Sequence, residues 1–170
     1  MEMDNAILDA WRANNRATSY LVENLPADVW LAALPDSPRK TIRSIAAHLH
    51  NSRCLWFKNL AKFDGFRMPA RVDPLKVTPA ALVKALESSH RQMLRLFEAG
   101  IANGGDFPGV TSRFIWGAMP RNALLFLAYG VSHEAHHRGQ ILLVARAAGR
   151  RLPSKIAGGL WQWSSRLRES

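Results

Sequence analysis

Four long stretches carry apolar residues at three- and four-residue spacing, and no segment sustains a two-residue alternation. A chain with that pattern has to bury helix faces against one another. Ile7, Leu8, Trp11, Thr18, Leu21 and Val22 mark a first helix over roughly residues 4–23, and Pro26, Pro35 and Pro38 punctuate the connector behind it. A second helix begins near Thr41 and runs to about Phe63, with Ile42, Ile45, Leu49, Trp56 and Leu60 on one stripe. A loop rich in Gly, Pro and charge follows, from Asp64 to Val77. Thr78-Pro79 is a start signal, a capping hydroxyl with proline at the first helical position. The third helix then runs to about Ile101, where Asn103-Gly104-Gly105 ends it. Phe107 to Met119 reads as a connector with room for a short turn. The fourth helix spans about Arg121 to Ala148, with Gly149 as its cap. Beyond Pro153 and Gly158-Gly159, Leu160–Leu167 predicts a short closing helix that packs Trp161 or Trp163 on the rest.

Four long amphipathic helices in 170 residues imply an all-α four-helix bundle, one domain over residues 1–170. The 48% hydrophobic content is ample for one core. A lone cysteine, Cys54, excludes an intrachain disulfide and reads as a small packed thiol. No stretch approaches the roughly 20 apolar residues that span a bilayer. Met1–Ala10 carries acids where a secretory leader needs basic residues. A soluble, cytoplasmic protein with no membrane partner is therefore expected. The chain carries 23 Lys+Arg against 13 Asp+Glu, a net charge of +10 that could attract nucleic acid or anionic molecules. The basic residues are scattered, with small clusters at Arg67–Arg71, Arg150–Arg151 and Arg166–Arg168, and no nucleic-acid motif runs through them. They read as a solvated surface, and a nucleic-acid partner is not expected.

Five of the six histidines fall into two clusters on predicted helices. His133 and His137 are spaced i, i+4, which puts their rings on one face about 5–6 Å apart at Cβ. Both imidazoles can then reach one ion at about 2.0–2.1 Å. Tyr129 and Ile141 continue that face, so the pair meets a wall of the bundle, where unpartnered ring nitrogens would be costly. The second helix offers His48 and His50, about 200° apart on the wheel, so at most one of them points into the same site. The angle alone does not choose, and His50 lies closer to the Ile42/Leu49/Leu60 stripe. Gln140, three residues past His137, can orient a ligand or a bound water. Gly139, costly in mid-helix, suggests close approach by a neighbouring helix.

Ile45-Ala46-Ala47-His48-Leu49-His50-Asn51-Ser52-Arg53, followed at a distance by His133-Glu134-Ala135-His136-His137-Arg138-Gly139-Gln140, resembles the DinB superfamily (the DinB/YfiT type). Its members carry a ligand histidine in helix two and an H-x-x-x-H-R-G-Q run in helix four. Leu160-Trp161-Gln162-Trp163 is similar to the ending of one subgroup. The resemblance implies that His48, His133 and His137 ligate a divalent metal. It makes His50 a helix-flank residue and sets His136, from a doubled-histidine variant, behind the ligands with Gln140. His90 has no evident partner and reads as a surface residue of helix three. A rival pattern overlaps this one: His133-Glu134-Ala135-His136-His137 is also H-E-x-x-H, the zincin signature, in which the glutamate is the general base. Against the zincin stand the lack of a third glutamate ligand, the lack of a substrate-binding strand, and Arg138 at i+4, which expects Glu134 to pair there.

Three neutral imidazoles leave an ion its full +2 charge and an open position, as in catalytic rather than structural sites. Some DinB-like proteins are transferases or isomerases that use bacillithiol, mycothiol or glutathione. The expectation is a metal-dependent enzyme acting on a small-molecule substrate by activating a low-molecular-weight thiol or a water, S-transferase/isomerase-like or a hydrolase. The alternative is a non-catalytic, metal-stabilised binding protein with a basic surface, associated with nucleic acid. A cavity leading to the open position would separate the two. Histidine ligands suit Zn, Ni, Fe or Cu, and the resemblance implies a homodimer.

Overall fold

The computed structural model describes residues 2–63, 65–115 and 119–170. Asp64 of the predicted loop and residues 116–118 of the predicted connector lie outside them. Four long helices appear where the periodicity places them: α1 (Glu2–Glu23), α2 (Ile42–Leu60), α3 (Pro79–Ala102) and α4 (Ala123–Ala147). Their starts are set by side chains that satisfy free backbone N–H groups. Thr41 Oγ1 accepts from Ser44 N, Thr78 Oγ1 from Ala81 N, and Asn122 Oδ1 from Leu124 N and Leu125 N. Past Ala148, Gly149 takes φ +75°, a left-handed turn that glycine adopts without strain. A 3₁₀ turn (Ala27–Val29) lies in the first connector. The Phe107–Met119 connector holds more than a turn: β1 (Phe114–Ile115) pairs antiparallel with β2 (Met119–Pro120). Two short helices, α5 (Ser154–Gly159) and α6 (Trp163–Arg168), stand where one closing helix is predicted.

α3 and α4 each pack on both α1 and α2, while α3 and α4 hardly touch. α1 and α2 therefore lie across one diagonal and α3 and α4 across the other, which calls for long connectors within each of those pairs. α6 packs against α1. The closing segment is not anchored by its tryptophans: Trp161 is 84% exposed and Trp163 is partly exposed. Leu160 and Arg166 are buried instead, with the Arg166 guanidinium 4.0 Å from the Tyr20 ring centroid.

The apolar core is in two parts. One contains Leu21, Ile42, Leu49, Leu82, Leu86 and Ile141; the other contains Trp11, Phe57, Leu60, Phe97, Phe107 and Phe126. Between them along the helices lies a buried polar layer: Asn14, Asn15 and Thr18 of α1, His50 and Arg53 of α2, Ser89 and His90 of α3, Glu134 and Arg138 of α4. Its centre is an ion pair with both side chains fully buried. Arg53 Nε donates to Glu134 Oε1 at 2.6 Å and Nη2 to Oε2 at 2.9 Å, a two-pronged geometry that offsets desolvation. Arg53 Nη1 donates to Asn15 Oδ1 and the Leu86 carbonyl, and the guanidinium lies 5.0 Å from the Trp11 ring centroid. Asn14 Nδ2 and Thr18 Oγ1 donate to Glu134 Oε2.

This layer corrects several sequence expectations. His90 is buried, not a surface residue. His50 is fully buried rather than on a flank: its ring nitrogens meet Ser89 Oγ and the Ala70 carbonyl, fastening the 65–77 loop to α2. The basic residues are not all solvated, since Arg53, Arg138 and Arg166 are buried. Gly139 is exposed, and among the described residues a Cβ there would meet nothing within 4 Å, so the expected close approach by a neighbouring helix is not seen there. Cys54 is packed as expected, and burial pushes its thiol up to about 11.

Burial first, then the Arg53 charge, lowers His90 from 6.5 to about 3. The unfolded chain takes up this proton near pH 6.5 while the folded chain refuses it, so stability is lost as pH falls from 6.5 toward 3. The limiting slope is about 1.4 kcal/mol per pH unit. Urea unfolding at pH 7.5 and 5.5 should show His90→Gln losing less stability on acidification than the unsubstituted chain. Equal losses would remove His90 from the acid response.

Candidate metal centre

α2 and α4 pack side by side, and their facing sides bring together His48, His133 and His137. Each offers one ring nitrogen, and the three nitrogens lie within 4.8 Å of one another. The ring centroids of His48 are 5.3 Å from His133 and 4.5 Å from His137. His133 is wedged by Trp56, edge-on at 4.9 Å between centroids, and by the parallel ring of Tyr129. These apolar contacts fix the ring plane on one side and leave His48 exposed at the rim.

The donor set suits a divalent ion. His133 Nε2 and His137 Nε2 stand 3.3 Å apart. Two ligands at about 2.0–2.1 Å from an ion, at the tetrahedral angle of about 109°, are separated by about that distance. His137 Nδ1 is 2.8 Å from Gln140 Oε1, which can only accept, so the proton sits on Nδ1 and Nε2 keeps its lone pair. Gln140 Nε2 is in turn 2.9 Å from His136 Nε2 and donates to it. Gln140 and His136 thus form a hydrogen-bonded chain behind His137. Ser52 Oγ lies 3.1 Å from His48 Nε2. All three rings are held in the neutral form that binds metal. Burial, followed by His137 and His48 nearby, lowers His133 to about 4. Burial also lowers His48, helped by His137 and Arg71, and lowers His137 against the opposing Gln140 bond.

Sequence angle left His48 and His50 open, and the packing separates them: His48 meets His133 and His137, while His50 faces α3 and the Ala70 carbonyl. Glu134 turns away from the cluster, but its main partner is Arg53 and not Arg138, whose Nη1 is 3.6 Å from Oε2. Burial pushes this carboxyl up, yet Arg53 and then Arg138 outweigh it and leave it lowered, an anion with no free oxygen to serve as a general base. The signal for Arg53 was present in the chain: it falls in the gap of the stripe Ile45, Leu49, Trp56, Leu60, a charge where the period demands a buried residue.

A cavity of about 290 Å³ opens onto His48 and His137 and is lined also by Lys40, Ser44, Ile45 and Gln140. Among the described residues no helix is long and apolar enough to cross a membrane. Fold and site together define a helical-bundle protein with a three-histidine centre that could hold a metal ion. The DinB family model matches residues 1–162, and the chain belongs to the DinB family. No curated protein and no solved structure matches it.

The Glu134 geometry changes what a substitution there should do. A surface i, i+4 pair with Arg138 would be worth a few tenths of a kcal/mol. Glu134→Gln instead strands the fully buried Arg53 cation and should cost about 3–5 kcal/mol in chemical denaturation. A loss below about 1 kcal/mol, on the scale of an exposed pair, would contradict the buried pairing.

Proposed function

We propose that this DinB-family chain is a metal-dependent enzyme in which His48, His133 and His137 hold one divalent ion, Zn, Ni or Fe. A divalent ion held by three neutral imidazoles keeps its charge and an open position, which acidifies a thiol or water placed there. The reaction class is transfer or isomerisation with a low-molecular-weight thiol, or hydrolysis, on a small molecule. The carrying observation is the cavity onto His48 and His137: a purely structural ion would be closed off by four protein ligands. Lys40 at its rim adds a cation and no acid lines it, which favours an anionic thiol or substrate. Gln140 fixes the His137 tautomer, and Ile45 offers an apolar surface for the rest of the molecule. Cys54 takes no part as a nucleophile, being buried with a raised thiol pKa.

Elemental analysis of untagged protein should find about one divalent ion per chain. His48→Ala and His137→Ala should lose it, while His50→Gln, outside the cluster, should keep it. Metal retained without His48 and lost without His50 would reverse the α2 assignment, and an unsubstituted chain that takes up no ion would end the proposal. Thiol-transfer and hydrolysis assays on the metal-loaded chain then separate the reaction classes.

The working unit in this reading is a homodimer formed through α4. Leu124, Leu125, Ala128, Ser132, Ala135, Gly139 and Leu143 are exposed along it, and the only charged residues between Asn122 and Ala145, Glu134 and Arg138, point inward. That leaves an uncharged helix face about 30 Å long that a second copy can cover, with Gly139 open to close approach. Sedimentation should give a dimer. Leu124→Glu with Leu143→Glu should shift it to monomer with the metal retained, and a monomeric unsubstituted chain would refute this assembly.

A further inference from the structure

The ligands of the proposed ion come from two helices, and so does the buried ion pair. His48 and Arg53 are five residues apart on α2; His133, Glu134 and His137 lie within one turn or so of α4. A helix advances about 100° per residue, so Glu134 leaves α4 on a different side from His133 and His137. The same short stretch of α4 therefore presents the histidines toward the cavity and the carboxylate toward the interior. The Arg53–Glu134 bonds, at 2.6 and 2.9 Å, are the polar link between α2 and α4 at the level of the site. Nothing in that link is slack. Glu134 Oε2 also takes Asn14 Nδ2 and Thr18 Oγ1, and Arg53 Nη1 takes Asn15 Oδ1 and the Leu86 carbonyl. α1 thereby braces both partners from behind, and α3 braces Arg53. The other α2–α4 contacts near the histidines among the described residues are between rings, Trp56 against Phe126, Tyr129 and His133 and His48 against His133 and His137, and such contacts tolerate sliding in a way a two-pronged ion pair does not.

We infer that Arg53 and Glu134 are positioning residues for the metal centre: their bond sets the α2–α4 spacing and register at which His48 meets His133 and His137. The inference rests on the metal reading above but is separable from it. Residues that hold ligands in place govern affinity by about 10–100-fold when removed. A positioning pair also differs from a through-space effect of charge. Loss of Glu134 adds net positive charge behind a cation site, whereas loss of Arg53 removes it, so charge alone would move affinity in opposite directions. Positioning weakens it in both.

The test is titration of the full chain with Co²⁺, followed by absorption, and with Zn²⁺ in competition. Glu134→Gln and Arg53→Met should each raise the metal Kd at least tenfold, with an altered Co²⁺ spectrum. Leu96→Ala, a fully buried truncation in the apolar cluster of Trp11 and Phe97, serves as the stability control and should leave Kd within about twofold. Thr18→Val, which removes one donor to Glu134 and keeps the ion pair, covers the case in which the first two variants do not fold. It should weaken metal binding by a smaller factor. A second readout needs no metal: NMR cross-peaks between the His48 ring and the rings of His133 and His137 should vanish in the pair variants and persist in Leu96→Ala. Kd values within twofold of the unsubstituted chain, opposite shifts in the two pair variants, or equal weakening by Leu96→Ala would overturn the inference. If the unsubstituted chain binds no metal, the functional proposal fails and the ring contacts alone decide the role of the pair.

Discussion

The structure depends on one buried interaction, the two-pronged bond between Arg53 and Glu134. Removing both charges from water carries a desolvation penalty of several kcal/mol for each ion, which only near-complete hydrogen bonding can offset. The bundle supplies that satisfaction from all four long helices: Asn14, Asn15 and Thr18 on α1, the Leu86 carbonyl on α3, and the pair itself on α2 and α4. Apolar faces can slide past one another at small cost. A layer whose charged groups are held by several directed hydrogen bonds cannot, so this layer specifies a register that the two apolar clusters alone would leave loose.

α4 presents two different sets of side chains from adjacent residues. His133 and His137 share a face because four residues make slightly more than one turn, and Glu134 and Arg138 form a second pair of the same spacing rotated toward the interior. This explains how an H-E-x-x-H string can occur without the chemistry that string often carries. A general base has to reach the water beside the metal. Here the carboxylate is surrounded by Arg53, Asn14 and Thr18. The basic composition has a related explanation: part of the net charge is interior, where Arg53 and Arg138 converge on one glutamate.

The four long helices, their approximate bounds and the Thr78 cap were legible in the chain because they follow from local physics. Periodicity declares which face is buried, and Thr41, Thr78 and Asn122 satisfy N–H groups two or three residues away. The i, i+4 histidine pair was legible for the same reason. The ends were less so. Trp161 and Trp163 look like anchors by composition, yet the segment is held by Leu160 and by Arg166 over Tyr20, because which side of a six-residue helix meets α1 is not a local property.

By itself the sequence determined an all-helical bundle, a pair of histidines on one face of α4, and a Gln placed to hold one of them. Tertiary structure decided that His48 rather than His50 meets that pair, which the family resemblance implied but the wheel angle left open, that His50 and His90 are interior, and that Glu134 answers to Arg53, 81 positions away in the sequence. The division has a physical basis. A wheel angle fixes where a side chain leaves its own helix, but not which helix stands opposite. That is settled only when every buried donor and acceptor has found its partner.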